Sequence, residues 1–350
     1  MGIRINGSTS GYTEIDAPAE GGNSTAGIIL PSGSTADRPA SGQAGQMRFN
    51  TTTGQFEYWS STSATPGWRE ITRAPVEPIT ARLLIVAGGG AGGDMNAGGG
   101  SAGGGGAGGM IAIASQQMLG AYTVTVGAGG PADTSLGNRT AGANGSNSSV
   151  VKTGDYSINE VAIGGGGGGT DYAGSDAAQG QPGGSGGGHG SQANTYGNNT
   201  GTAGQGNAGG GSSSTWNGTY IAGGGGGAGS AGSDTRNGGD GLADDITGTS
   251  VTYAGGGAAG TTTSLGGNGT GGSGGGGNGG NASANRAGTD GLGGGGGGVG
   301  GKGGDGIVIL RLPTSAGVTI GAGLTSSSAT VGSDTVYSFT AGTGTVTITE

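Results

Sequence analysis

The chain has 350 residues, of which 100 are glycine, and its formal net charge is −9. Only 9% of the residues are charged and 4% are aromatic. Because glycine loses the most conformational entropy on folding and large side chains are few, one conventional hydrophobic core of this length is excluded. Disorder, a collagen-like triple helix and an ordered lattice of backbone hydrogen bonds stay open.

The pattern of glycines selects among these three outcomes. The runs have unequal lengths, as at 164–169, 223–227 and 293–298, and there are only 9 prolines. Collagen needs glycine at every third residue and abundant proline, so it is excluded. Short apolar segments separate the runs, and the charge content is far below that of disordered tails. The pattern therefore favours the ordered lattice.

Other features of the composition limit the possible chemical functions of the protein and its place of synthesis. The chain has no cysteine and one histidine, His189, which argues against a zinc site or a catalytic triad. We expect no catalytic residue, no metal and no cofactor, and we interpret His189 as a loop residue. Residues after Arg82 carry six basic and fourteen acidic side chains, so nucleic acid is an unsuitable partner. Residues 1–6 lack the apolar core of a signal peptide, so we expect synthesis in a cytosol.

Taken in chain order, residues 1–35 are polar and read as an N-terminal arm that attaches to another protein. Residues 36–80 predict a small β domain. Strands at 46–50 and 55–59 form a hairpin, with Met47 and Phe49 on one face, and 68–71 adds a third strand. A unit this small usually needs oligomerisation to be stable.

Residues 81–312 predict a glycine-rich domain. Apolar strands at 83–87 and 307–310 open and close it, and we expect them to pair. Polyglycine can adopt the polyproline II conformation, with three residues per turn, and such rods can bond to one another because no Cβ separates them. Short apolar pieces precede the runs, so we expect a hydrophobic base with loops at the opposite end, namely 94–97, 170–182, 228–237 and 258–265. The expected base contains Ile85, Ile163, Ile221 and Tyr253.

Residues 313–350 predict a C-terminal β region. The predicted fold class is therefore mainly β and irregular, with essentially no α-helix. It comprises an N-terminal arm, a small β-hairpin domain, a central polyglycine II helix bundle with short strands at its base, and a C-terminal β tail. No membrane insertion is expected, since no apolar run reaches membrane-spanning length.

Several acidic residues raise the question of calcium. Asp244 with Asp245, and Asp171 with Asp176, offer carboxylate oxygens, but neither pair matches a recognised calcium loop. We interpret all four as solvated surface acids. The many G-x-G-x-x-G matches, for example near Gly88, carry little information in this composition, and no βαβ unit accompanies them.

Two stretches resemble a known family. The strand 84–90, Leu-Ile-Val-Ala-Gly-Gly-Gly, and the closing segment 303–310, Gly-Gly-Asp-Gly-Ile-Val-Ile-Leu, resemble glycine-rich domains of bacteriophage tail-fibre and adhesin proteins. Residues 38–59, with Gln-Met-Arg-Phe-Asn and Gln-Phe-Glu-Tyr-Trp, resemble a segment of phage fibre and virion structural proteins. The arm Arg-Ile-Asn-Gly at 4–7 is similar to arms in fibre proteins of marine cyanobacterial phages.

The resemblance implies a virion protein that is attached to the particle through residues 1–35. It implies a polyglycine II bundle whose distal loops bind a bacterial surface receptor, either protein or polysaccharide, and a homotrimer, although some such adhesins are monomers. Aromatic residues in polar loops are typical binding anchors, but they can equally pack over rod ends. The candidate receptor-binding residues are Asp171, Tyr172, Tyr196, Asn198, Trp216 and Arg236.

Two other functions remain open at this stage. A purely structural virion protein, such as a capsid decoration or tail connector, would use the same lattice without binding a receptor. An ice-binding or matrix protein would use flat rod faces, but this leaves residues 38–59 and the N-terminal arm unexplained.

Overall fold

The computed structural model describes residues 3–4, 14–15, 30–61, 66–71, 77–96, 100–133, 137–171, 176–191, 199–214, 220–261, 267–280 and 286–350. The chain divides into two compact units, Met1–Val76 and Glu77–Glu350. The second unit holds both the predicted glycine-rich domain and the predicted C-terminal β region. Across the described residues the fold is mainly β and irregular, and the helical segments are two short 3-10 turns, at Thr35–Asp37 and Asp176–Ala178. The predicted fold class is confirmed. None of the described helical segments is long and apolar enough to cross a membrane.

The strands of the first unit are β1 (Ile3–Arg4), β2 (Glu14–Ile15), β3 (Ser32–Gly33), β4 (Met47–Asn50), β5 (Gln55–Ser60) and β6 (Gly67–Glu70). The second unit contains β7 (Ile79–Val86), β8 (Ser101–Ala102), β9 (Met110–Met118), β10 (Gly120–Val126), β11 (Ser148–Lys152), β12 (Ile158–Ala162), β13 (Ser213–Ser214), β14 (Tyr220–Ile221), β15 (Leu242–Asp244), β16 (Val251–Tyr253), β17 (Gly260–Thr261), β18 (Ile307–Pro313), β19 (Gly317–Ile320), β20 (Leu324–Val331) and β21 (Asp334–Thr349).

The first unit is built on a four-stranded sheet in the order β3-β4-β5-β6. The predicted hairpin is confirmed, with Phe49 opposite Phe56, and β6 supplies the third strand. The distribution of residues between the two sides of this sheet is unexpected, because the polar residues Arg48, Asn50 and Glu57 are buried. The Glu57 carboxylate accepts hydrogen bonds from Arg38 and Asn50. The Arg38 hydrogen bond is the main cause of the lowered pKa of Glu57, against which burial acts. The buried side of this sheet is therefore polar.

The second unit begins and ends in one nine-stranded sheet that is nearly closed on itself. The first half of the long strand β21 pairs with β18 and β20, and its second half pairs with β10 and β19. We call this sheet the sandwich, because its two halves, β9-β7-β18-β21-β20 and β12-β11-β10-β21-β19, pack against a shared core, and we refer to the halves as its two sheets. The predicted pairing of the opening and closing strands is confirmed, with Val86 opposite Ile307. The C-terminal β region is thus part of this sandwich.

Successive side chains of β7 point to opposite faces of the sheet and contribute to two separate hydrophobic clusters. Leu83 and Ile85 lie in the core between the sheets, with Tyr122 and Phe339 from the partner strands. Leu84 and Val86 point to the other side, where a second cluster includes Tyr253 and Ile246. The single predicted base is therefore replaced by two clusters. Ile85 and Tyr253 belong to different ones, whereas Ile163 and Ile221 are only partly buried and belong to neither.

Between the strands, the glycine-rich segments form extended rods that bond to one another, and we call this array the lattice. The rod that continues β7 shows the rule, since every third residue faces the same neighbour. Its N–H groups at 88, 91 and 94 donate to carbonyls in 140–146, those at 89 and 92 to 301–304, and those at 90 and 93 to 103–106, over 2.8 to 3.0 Å. A period of three is that of the polyproline II helix, and it directs the N–H groups of this rod to three neighbouring segments. The carbonyls of the same rod accept hydrogen bonds from other segments, for example from the N–H groups of Gly165, Gly130 and Gly296.

Close approach of the rods explains why glycine is required here. A Cβ added to Gly90, Gly105 or Gly225 would lie closer than 3.0 Å to main-chain atoms of a neighbouring rod. The lattice is therefore held by main-chain hydrogen bonds that buried peptide groups must make, and side chains are excluded where the rods approach one another most closely.

Candidate functional site

The rods give the second unit a direction, because many begin or end at the sandwich. The opposite ends of the rods, which we call the far end, carry Asp94, Ser101, Asp171, Ser191, Thr261 and Val299. Register places these residues together: Asp94 lies six residues beyond the sandwich side of its rod, and Ser101 accepts a hydrogen bond from the N–H of Ser191.

Seven stretches inside the second unit lie outside the described residues, and the described residue before each one lies at the far end. They follow Asn96, Asp133, Asp171, Ser191, Ser214, Thr261 and Gly280. The stretches 172–175, 192–198 and 215–219 read Tyr-Ala-Gly-Ser, Gln-Ala-Asn-Thr-Tyr-Gly-Asn and Thr-Trp-Asn-Gly-Thr. Four candidate receptor-binding residues fall in these stretches and so lie outside the described residues, namely Tyr172, Tyr196, Asn198 and Trp216.

Asp171 lies at the far end but is buried, with 3% of its surface exposed. Its carboxylate lies 3.3 Å from Nε of Arg139 and accepts a hydrogen bond from the N–H of Asn96. Arg139 adopts a positive φ of 56°, which is uncommon for a residue with a side chain. In this structure Asp171 therefore ties two connecting segments to the rod end.

Asp94 performs a similar task on the neighbouring rod, and sequence reasoning missed it. It is fully buried, and its Oδ2 accepts hydrogen bonds from the N–H groups of Gly137 and Asn138 at 2.8 and 3.0 Å. A carboxylate that immediately follows a glycine run, as in Gly92-Gly93-Asp94, is the signal that could have found it.

Arg236, the last candidate, is also buried, with 7% exposed and a φ of 89°. Its carbonyl accepts a hydrogen bond from Ala259, and burial lowers the pKa of its guanidinium. Because Asp171 and Arg236 are buried, both side chains pack inside the second unit in this structure. Their part in receptor binding stays a prediction.

The expected loop 228–237 does not begin at the far end. Ala228 packs against the cluster that contains Tyr253, at the sandwich side, because the rod 223–228 runs back from the far end. The direction of each rod depends on the register of its hydrogen bonds, which glycine composition does not encode.

The interpretation of His189 as a loop residue is wrong. It lies within the rod 183–191, with 1% of its surface exposed, and its Nδ1 accepts a hydrogen bond from the N–H of Gly180 at 3.0 Å. Burial lowers the pKa of the imidazole, and the negative charge of Asp234 opposes this shift. A neutral ring that accepts this hydrogen bond is therefore part of the lattice.

A small apolar plug of Met95, Ala102 and Val299 closes part of the far end. Val299 has a φ of 73°, an exceptional value for a β-branched residue, and its carbonyl accepts a hydrogen bond from Arg286. This strain is held by the surrounding rods.

The interpretation of all four candidate calcium-binding acids as solvated is wrong for two of them. Asp244 is mostly buried and pairs with Arg82 at 3.3 Å, and Asp171 is buried beside Arg139. Asp245, in contrast, is 71% exposed. Within the described ranges, no group of three His, Asp or Glu side chains is arranged to hold a metal ion.

Comparison with known proteins places the chain in a family. The model of the glycine-rich domain family matches residues 64–313, which is well over half of the sequence, so the chain belongs to that family. The matched range contains every rod of the lattice and the strands that open and close it. No curated protein and no solved structure matches the chain significantly.

Proposed function

We propose that this glycine-rich protein is a non-enzymatic virion fibre or adhesin of a bacteriophage. Residues 1–35 attach it to other virion proteins, and the far end of the lattice binds a bacterial surface receptor, either protein or polysaccharide. The protein functions in the virion after synthesis in the host cytoplasm, and we expect it to be a homotrimer. The resemblance of residues 38–59 to phage fibre segments supports the phage origin.

One observation supports the receptor-binding role above the others, namely that the described residues preceding these connecting segments lie together at one end of the hydrogen-bonded lattice. Connecting segments that a rigid framework presents are where proteins commonly place variable binding residues. The segments 172–175, 192–198 and 215–219 contain three aromatic residues and four asparagine or glutamine residues, with no charge. Aromatic rings and amides suit the stacking and hydrogen bonding that a sugar or a polar protein surface offers.

The test replaces those three segments, singly and together, with Gly-Ser sequences of equal length. Fluorescently labelled full-length protein is then titrated on whole bacterial cells. We expect each replacement to weaken binding and the triple replacement to abolish it, while the circular dichroism spectrum stays unchanged. The matched control replaces 153–155, an exposed turn between β11 and β12 in the sandwich.

Undiminished binding by the triple replacement would contradict the proposal. The alternative, a purely structural virion protein, would be favoured if the far end proved to be covered by neighbouring proteins in the intact particle.

A further inference from the structure

Six asparagines of the sequence are followed directly by glycine, and four of these pairs lie within the described residues. We call them the Asn-Gly pairs, and their asparagines are Asn144, Asn237, Asn268 and Asn278. Asparagine before glycine is open to a spontaneous main-chain reaction, because glycine has no Cβ to hinder its own nitrogen or to restrict its rotation. The lattice therefore contains four places where its chain could be modified chemically.

The reaction takes place between the asparagine side chain and the main chain that follows it. The glycine nitrogen attacks Cγ of the asparagine, the side-chain nitrogen leaves as ammonia with the proton of the attacking N–H, and a succinimide ring forms. Water then opens the ring at either carbonyl, which gives aspartate or isoaspartate. In isoaspartate the main chain runs through the former side chain and is longer by one carbon.

In each Asn-Gly pair the attacking nitrogen is already bonded to a neighbouring segment of the lattice. The glycine N–H donates to a main-chain carbonyl over 2.9 to 3.2 Å. These bonds run from Gly145 to Gly165, from Gly238 to Thr270, from Gly269 to Ala259 and from Gly279 to Gly269. A nitrogen held in this way must give up its hydrogen bond before it can turn toward Cγ.

The side-chain oxygen of each asparagine is held by the same segment that holds the nitrogen. Its Oδ1 accepts a hydrogen bond from a main-chain N–H over 2.8 to 3.3 Å. The donors to Asn144, Asn237, Asn268 and Asn278 are Gly167, Thr270, Thr261 and Gly271, in that order. In three pairs the accepting carbonyl and the donating N–H are two residues apart, and in the fourth both belong to Thr270. Both reacting groups are therefore fixed by one recurring arrangement.

Burial does not explain how these pairs would be protected. All four asparagines are exposed, so water reaches their side chains. Protection must therefore come from the two hydrogen bonds, which hold the nitrogen and the side-chain oxygen on the neighbouring segment.

We propose that the four Asn-Gly pairs are modification sites that the lattice keeps closed, and that conversion to aspartate or isoaspartate requires the opening of both hydrogen bonds. An isoaspartate would displace every later N–H and carbonyl of its rod, which would interrupt the period of three on which the lattice depends. Conversion therefore marks segments that have opened. The inference rests on the hydrogen bonds of the lattice and is independent of what the far end binds.

The first test compares the four pairs with a pair placed outside the lattice. Thr153→Asn puts an asparagine before Gly154, in the exposed turn between β11 and β12, where the space around Gly154 is open. The full-length variant is incubated in mildly alkaline buffer with and without urea, and mass spectrometry of proteolytic fragments measures aspartate and isoaspartate at each site.

In the folded protein we expect the introduced site to convert at least about tenfold faster than each Asn-Gly pair. That factor corresponds to about 1.4 kcal/mol, and opening one pair breaks two hydrogen bonds. In urea all five sites should convert at similar rates, because the lattice is lost.

The second test changes the hydrogen bonding of one pair. Thr270→Pro removes the N–H that Oδ1 of Asn237 accepts, and the fixed φ of proline suits the extended conformation of a rod. We expect faster conversion at Asn237 and an unchanged rate at Asn144. Thr270→Ala is the matched control, since it keeps the N–H, and it should behave as the wild type.

Three results would overturn the proposal. The first is conversion of the Asn-Gly pairs in the folded protein at the rate of the introduced site. The second is an introduced site that converts as slowly as the four pairs, since protection would then be general to the folded chain. The third is a rate at Asn237 that Thr270→Pro leaves unchanged.

Discussion

The lattice and the sandwich of the second unit stabilise neighbouring parts of one chain in opposite ways. In the sandwich, side chains such as Tyr122 and Phe339 fill the space between two sheets, and strands may vary as long as the core volume is kept. In the lattice, the closest approaches between rods leave no room for a side chain, and main-chain groups bond directly across them. Sequence tolerance therefore differs in kind between the two regions.

This difference shows that glycine can have opposite effects on stability in one molecule. In a strand or helix, glycine weakens structure because it adds entropy to the unfolded chain. In the lattice, the absence of Cβ is what lets Gly105 accept a hydrogen bond from Gly257 and donate one to Gly296. The contact geometry gained there outweighs the entropy lost.

The largest effect is expected from a side chain placed inside the lattice. Gly105→Val should destabilise the second unit by at least about 4 kcal/mol, because its Cβ would meet the carbonyl of Gly90 and separate several rods. Urea denaturation followed by circular dichroism measures the change. Gly204→Ala is the control, since Gly204 has a positive φ of 77° but open space around it. It should cost only about 1 kcal/mol, and equal losses for the two variants would refute the close-packed lattice.

An intermediate effect is expected in the sandwich, and it depends on the volume removed. Phe339 is fully buried. We expect Phe339→Ala to lower the free energy of unfolding by about 3–5 kcal/mol and Phe339→Leu to lower it by about 1–2 kcal/mol. The same denaturation assay gives both values. A small loss of stability for Phe339→Leu, beside a large one for Gly105→Val, would confirm the difference between the two regions. A loss for Phe339→Leu as large as that for Gly105→Val would contradict it.

The smallest effect is expected from pH, through His189. Burial lowers the pKa of the folded imidazole below its ordinary 6.5, so the unfolded chain binds the proton more readily. Stability from this group is therefore complete above about pH 6.5 and falls as the pH drops below it. The slope is at most about 1.4 kcal/mol per pH unit.

Denaturation between pH 7.5 and 5 measures this slope. Since His189 is the single histidine of the chain, His189→Gln should remove it. A slope of the same size in the variant would assign the effect to other groups.

Much of the fold could be predicted from sequence because its determinants are local. Glycine runs beside short apolar pieces predicted rods, and the apolar segments around Ile85 and Val308 predicted the strands that pair. The hairpin of β4 and β5 followed from alternation and its turn. Alternation also predicted that Met47 and Phe49 share a face, but it cannot say which face is buried. Arg48 and Glu57 occupy the buried side, because Arg38 from outside the sheet pairs with that carboxylate.

The candidate site was less predictable, since it depends on how distant rods align. Aromatic residues in polar segments could be found by composition, and the described residues that precede those segments, Asp171, Ser191 and Ser214, lie at the far end. Asp171 is buried beside Arg139, and the carbonyl of the buried Arg236 bonds to the N–H of Ala259, although both partners are far away in sequence. The position of His189 inside a rod has the same origin, because its neighbours are set by hydrogen-bond register and not by nearby residues.

The small amount of apolar surface inside the lattice has a thermodynamic consequence. The heat-capacity increase on unfolding comes from apolar groups newly exposed to water, about 12–15 cal/mol/K per residue in ordinary domains. Glycine rods expose mainly peptide groups, which lower the heat capacity. The rod region should therefore have a flatter stability curve than the sandwich, and chilling should weaken it less. A scaffold of this kind keeps its connecting segments in place in cold water, where hydrophobic cores lose part of their driving force.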